Sequence, residues 1–235
     1  MPRSHLLSHL SPDDYGRIEP HLEAIALPVR TQLQVRGKRV EHVYFLDSGV
    51  ASVGTNGEHG IEVALIGREG MTGLSVVMGS DELAPHETRM QVAGNAHRIA
   101  ADDLRDAMAA SVNLHRVLLR YAHTFMTQVM EAAVAHGRCK VEQRLSRWLL
   151  MTDDRIEGDG IALTQEVLAA MIGVRRPGVT VALQEFERRG FIAYRRGFIA
   201  IIDRDGLQKT CSGTYSQNGA KRVGVLNHES ARARR

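Results

Sequence analysis

A chain of 235 residues is long enough for one large domain or two small ones, each with its own core. Its 43% hydrophobic and 24% charged residues are ordinary for a globular protein, and no apolar run approaches the roughly 18 residues of a membrane span. Two cysteines, Cys139 and Cys211, exclude a disulfide framework and lack the clustering of zinc or iron–sulfur ligands. The net charge of +3 hides an asymmetry. Residues 1–136 hold 12 Lys/Arg against 16 Asp/Glu, whereas residues 137–235 hold 18 against 11. Such a split suggests an acidic module joined to one that meets a polyanion. Met1-Pro2-Arg3-Ser4-His5 has no apolar signal core, so a cytoplasmic location is expected.

In chain order, Leu6, Leu7, Leu10, Tyr15, Ile18 and Leu22, with Ser11-Pro12 as a helix start, predict two short helices over 4–24. From about 25 to 100, short β-type runs alternate with Gly and Asn/Asp turns: Val43–Leu46, Val50–Val53, Ile61–Ile66, Met90–Ala93 and Ala96–Ile99. They predict an antiparallel roll, sandwich or barrel of about eight strands.

Residues 101–136 read as helical. Leu114, Leu118, Tyr121, Phe125, Gln128, Ala132 and Ala135 follow heptad steps, and a neighbouring row (Leu119, Ala122, Met126, Val129, Ala133) is also mostly apolar. Two stripes imply contacts on two sides. Leu114, Leu118, Tyr121 and Phe125 are the expected dimer seam, the alternative being a wholly buried helix. A break is expected at His136-Gly137, followed by a helix burying Val141, Leu145, Trp148 and Leu149.

The strongest signal runs from Thr164 to Phe186. Two helices crossing steeply need a small residue where they touch, here Ala169, and four residues on a turn with positive φ, here Gly173. Thr164 can cap the first helix, and Pro177 suits the first turn of the second. The second helix buries Val179, Ala182, Leu183 and Phe186 and presents Arg175, Arg176, Gly178, Thr180, Val181 and Gln184 outward. Arg176 is the one side chain at its start able to fork onto a guanine edge. Phe191–Tyr194 and Phe198–Ile202 then flank Arg195-Arg196-Gly197 as a β-hairpin wing whose arginines meet phosphates. After Cys211 the chain loses periodicity and ends Ala-Arg-Ala-Arg-Arg, a basic tail expected to be disordered.

This order resembles the Crp/Fnr family of bacterial regulators over about residues 20–211. The resemblance rests on Tyr44–Val50, Ile66–Gly73, Val141–Leu150, Thr164–Phe186 and Arg189-Gly190-Phe191-Ile192. It implies an α+β protein: a jelly-roll-like effector domain of the cyclic-nucleotide-binding kind (1–111), a dimerisation helix (112–136), a winged helix-turn-helix (137–211) and the tail (212–235). It implies a homodimer on a two-fold symmetric duplex site, with RNA polymerase as a candidate partner and no membrane, metal or enzymatic activity. By the same resemblance Thr164 matches a phosphate-contacting threonine and Arg176 the first base-reading arginine, while Pro177 and Val181 replace a glutamate and a second arginine. The effector pocket would involve Gly70, Met71, Gly73, Leu74, Thr88 and Arg89. Cyclic-AMP binders place a Glu after the roll's glycine and an Arg-Ser pair later, where this chain has Gly73-Leu74 and Thr88-Arg89. Cyclic AMP is therefore not the expected effector. No cysteine precedes Cys139 to hold the iron–sulfur centre of oxygen-sensing relatives. An effector-free regulator, or a winged helix used for protein contacts, are the alternatives.

Overall fold

A computed structural model of the chain describes residues 3–55, 61–80, 83–158, 160–195, 197–211 and 213–215. Helix α1 (His5–Ser8) is capped by Ser4 accepting from Leu7 N, and α2 (Pro12–Ile18) by Ser11 accepting from Asp14 N. A single 3-10 turn, Glu19–His21, leads into the strands.

These are β1 (Glu23–Leu27), β2 (Gln32–Gln34), β3 (His42–Leu46), β4 (Val50–Gly54), β5 (Glu62–Ile66), β6 (Glu87–Val92) and β7 (Gly94–Ala100). They form two antiparallel sheets of order β1-β7-β3 and β2-β6-β4-β5, seven strands among the described residues where about eight were expected. Phe45, Leu46, Ile66, Met71, Met90 and Ile99 close the core between them, each under 3% exposed. Sequence reading missed β1 and β2. The first is mostly exposed and the second only three residues long, so neither shows the alternation that marks a half-buried strand. It also missed α3 (Leu74–Val77), a single turn entered through Gly73 at φ 73°.

Helix α4 (Ala101–Ala110) ends at Ser111, whose extended backbone and side chain cap α5 (Val112–Arg138). The long helix therefore starts at the expected boundary but runs through Gly137 to Arg138, two residues past the expected break. The break comes where Cys139 and Lys140 turn extended.

The apolar positions of α5 divide between two faces. Leu114, Leu118, Tyr121 and Phe125 are at most 8% exposed and belong to the core of their own roll, so they cannot form the dimer seam. The expected neighbouring row is split, since Ala122 is 4% exposed and Val129 packs on the core, while the outward face carries Leu119, Met126, Met130 and Val134, from 42% to 61% exposed. Gln128, the polar residue inside the heptad, has a specific task. Its amide accepts from Leu65 N (2.9 Å) and donates to Leu65 O (3.0 Å), pairing the free edge of β5. A sheet edge is thereby covered by a side chain acting as a strand.

Helix α6 (Val141–Asp153), α7 (Gln165–Met171), α8 (Arg176–Arg188), strands β8 (Ile192–Arg195) and β9 (Phe198–Ile201), and α9 (Arg204–Thr210) surround a second core of Leu145, Leu149, Leu168, Val179, Leu183 and Phe186. Val50 and Leu65 of the roll extend into it. Polar bonds reinforce this junction. Trp148 Nε1 donates to Glu62 Oε1 (2.7 Å), and Arg155 Nε donates to Glu69 Oε1 (2.7 Å) with both side chains at most 5% exposed. The chain is not loose immediately after α9. Tyr215 is 7% exposed, its hydroxyl donates to Asp154 (2.6 Å) and accepts from Arg204 (2.7 Å), so residue 215, expected to be disordered, is packed on the fold. The rest of the tail lies outside the described residues.

Candidate nucleic-acid interface and effector cavity

The helix-turn-helix is built as its spacing requires. Thr164 Oγ1 accepts from Val167 N (3.3 Å) at the start of α7. Ala169 is 5% exposed at the crossing, Gly173 has φ 66° in the turn, and Pro177 sits in the first turn of α8. Arg144 of α6 donates to Ile172 O (3.1 Å), satisfying a carbonyl left free where α7 ends. The buried face of α8, Val179, Ala182, Leu183 and Phe186, is at most 1% exposed, which fixes the opposite face toward solvent.

On that face Arg175, Arg176, Val181 and Gln184 are exposed. Arg176 Nη1 meets Glu166 Oε1 at 2.8 Å, both side chains being more than 60% exposed. An exposed pair of this kind is worth about 0–1 kcal/mol, so a base edge can displace the carboxylate. Two expected contact residues are differently placed. Thr180 is half-buried and donates to Gln165 Oε1 (2.7 Å), with Arg176 O also within reach (3.2 Å), so its one hydroxyl hydrogen is committed within the motif. Gly178 is half-buried and turned toward Val141, its N–H bonded to Arg175 O. Thr164 is exposed, as is Arg195 at the end of β8; Arg196 lies outside the described residues.

Gln165, Glu166 and Tyr194 were not anticipated. Gln165 Nε2 donates to Tyr194 Oη (3.0 Å) while its Oε1 accepts from Thr180, so one amide ties α7, α8 and the wing together. Their meeting is tertiary, and no local spacing announces it.

The effector region departs further from expectation. Gly70 lies under Tyr121, whose hydroxyl would clash with any Cβ there, and Met71 is wholly buried. Thr88, also wholly buried, donates to Gln34 Oε1 (2.9 Å), which accepts from Gly73 N as well (3.4 Å). Arg89 is paired loosely with Glu87 on the alternate face of β6 (3.7 Å). Of the six expected pocket residues Leu74 borders a cavity between the roll and α5, whose lining among the described residues includes none of the other five. That cavity, about 260 Å³, lies between Gln34, α3, the segment at Pro85-His86 and one face of α5.

Residues 143–210 match the Crp-like helix-turn-helix domain family. The HTH-type transcriptional regulator Cmr of Mycobacterium tuberculosis (strain CDC 1551 / Oshkosh) is 41% identical over 59 residues, 25% of this chain and 24% of that protein. The match thus spans about a quarter of that relative's length. A solved transcriptional regulator of the Crp/Fnr family from Eubacterium rectale superposes with a TM-score of 0.69 at 19% identity, covering 88% of this chain and 98% of that one. FixK2 from Bradyrhizobium japonicum gives 0.69 at 16% identity over 80% and 96%. The chain has the Crp/Fnr fold and carries a Crp-like helix-turn-helix domain. Within that fold, the exposed face of α8 is the candidate recognition surface. No helix among the described residues is long and apolar enough to cross a membrane.

Proposed function

We propose that the chain is a sequence-specific, DNA-binding transcription regulator, acting as a homodimer in the cytoplasm and not controlled by cyclic AMP. The observation that carries this is the recognition helix α8. Its apolar face is sealed in the second core, and Arg175, Arg176 and Gln184 are exposed along the other. Arg176 reads a guanine edge, Arg195 touches phosphate, and Thr180 acts by orienting α8 through Gln165. The outward row of α5 carries the second copy, which places two recognition helices on a symmetric site. Against cyclic AMP stands Thr88, buried against Gln34 in place of a phosphate-binding arginine. An anion buried there would lose its hydration with no cation to replace it.

The test is a binding-site selection with wild type and Arg176→Ala at fixed salt. Arg176→Ala should cost about 1–3 kcal/mol and relax one base position per half-site. Identical motifs with identical stringency would remove Arg176 from the base-reading role. Arg195→Ala should weaken all duplexes alike and lower the slope of log affinity against log salt by about one for each phosphate that is no longer neutralised. A winged helix used for protein contacts would show no salt-dependent duplex binding at all.

A further inference from the structure

We propose that the 260 Å³ cavity between the roll and α5 is a binding site for an uncharged, largely apolar small molecule with one hydrogen-bonding group. Its walls are Leu74, Met78, Phe125, Met126, Val129 and Met130, and among the described residues no Lys, Arg, Asp or Glu lines it. The polar atoms it offers are few and uncharged. Gln34 spends its Oε1 on Thr88 and Gly73, which leaves the side-chain NH2 as a donor. Ser75 and His86 complete the set. Burial lowers the His86 pKa and keeps its ring neutral at physiological pH.

Size narrows the ligand further. A dry apolar cavity of about 150 Å³ takes benzene, so this one, roughly 1.7 times that volume, has room for a two-ring aromatic or its aliphatic equivalent. A phosphate or carboxylate would enter without a cation, and a ribose would leave most of its hydroxyls unpaired against methionine and leucine. Met126 and Met130 also belong to the outward row of α5, so an occupant touches the face that meets the second copy. Methionine thioethers are deformable and repack around such ligands.

The inference deepens the regulator reading and rests on it for its consequence, so ligand and duplex binding are measured on the same full-length sample. The probe is 2-naphthol, with naphthalene-2-sulfonate as its anionic counterpart and cyclic AMP as a third arm, each titrated by calorimetry. Binding of 2-naphthol in the micromolar range is expected, with the sulfonate at least about tenfold weaker, a difference of about 1.4 kcal/mol. Ala122→Leu narrows the cavity from α5 and should weaken 2-naphthol by at least about tenfold without lowering the melting temperature. If that variant does not fold, Val129→Phe fills the same space from two turns along the helix. No binding at millimolar 2-naphthol overturns the site; that result is expected if the partner's helix fills it. Equal affinity for the sulfonate overturns the ligand class, and undiminished binding by the filled variants overturns the location. Loss of duplex binding with intact 2-naphthol binding would overturn only the regulator reading.

Discussion

Glu62 opens β5 and is 7% exposed, with one carboxylate oxygen bonded to Trp148 and the other unpartnered. Burial pushes its pKa from 4.5 up to about 8, against the opposing pull of Trp148, Arg147 and Arg155. Between those two values the folded protein holds a proton that the unfolded chain has released. Stability therefore falls as pH rises through that window. Glu62→Gln keeps the acceptor for Trp148 and removes the titration. Its melting temperature should gain on wild type steadily between about pH 5 and pH 8. Parallel profiles would clear Glu62 of this role. At this scale the sequence was an uneven guide. Ala169, Gly173 and Thr164 declared their tasks by spacing, because crossing, turn and cap are local demands. Thr180 did not, because its partner Gln165 sits on another helix.

Among the elements, α5 shows what periodicity conveys and what it leaves open. The heptad row was legible and the outward one only in part, through Leu119 and Met126, and a heptad cannot say whether its row meets the chain's own roll or a partner. The core contacts of Leu114 and Leu118 assign that row to the roll. Leu119→Asp with Val134→Asp should give a folded monomer by sedimentation and circular dichroism, because these side chains are 42% and 50% exposed before association. Leu118→Asp should instead unfold the roll, since it buries an unpaired charge. A folded dimer from the double variant would exclude the outward row. Gln128→Leu strips β5 of its edge partner and leaves the Leu65 N–H and C=O without protein bonds, at an expected cost of about 1–3 kcal/mol in denaturant unfolding. An unchanged midpoint would show that water serves the edge equally well.

Over the whole molecule, the acidic and basic halves foretold two modules, but not how firmly they are joined. The Glu69–Arg155 pair is separated by 86 positions and is nearly dry. Arg155→Met alone strands a buried carboxylate and should cost about 3–5 kcal/mol of unfolding free energy. Adding Glu69→Gln should recover much of that loss. No recovery would mean that Arg155 matters through its packing and its bond to Met151 O.

A 27-residue helix rising 1.5 Å per residue is about 40 Å long, so α5 is also a lever. Tilting it by about 5° about its roll end displaces the far end by about 3.5 Å, close to the 3.4 Å spacing of base pairs along a strand. In the proposed dimer, two such levers splaying apart double the offset between their reading heads. A change of packing too small to unfold anything is thus enough to put a symmetric pair one or two base pairs out of step with its groove.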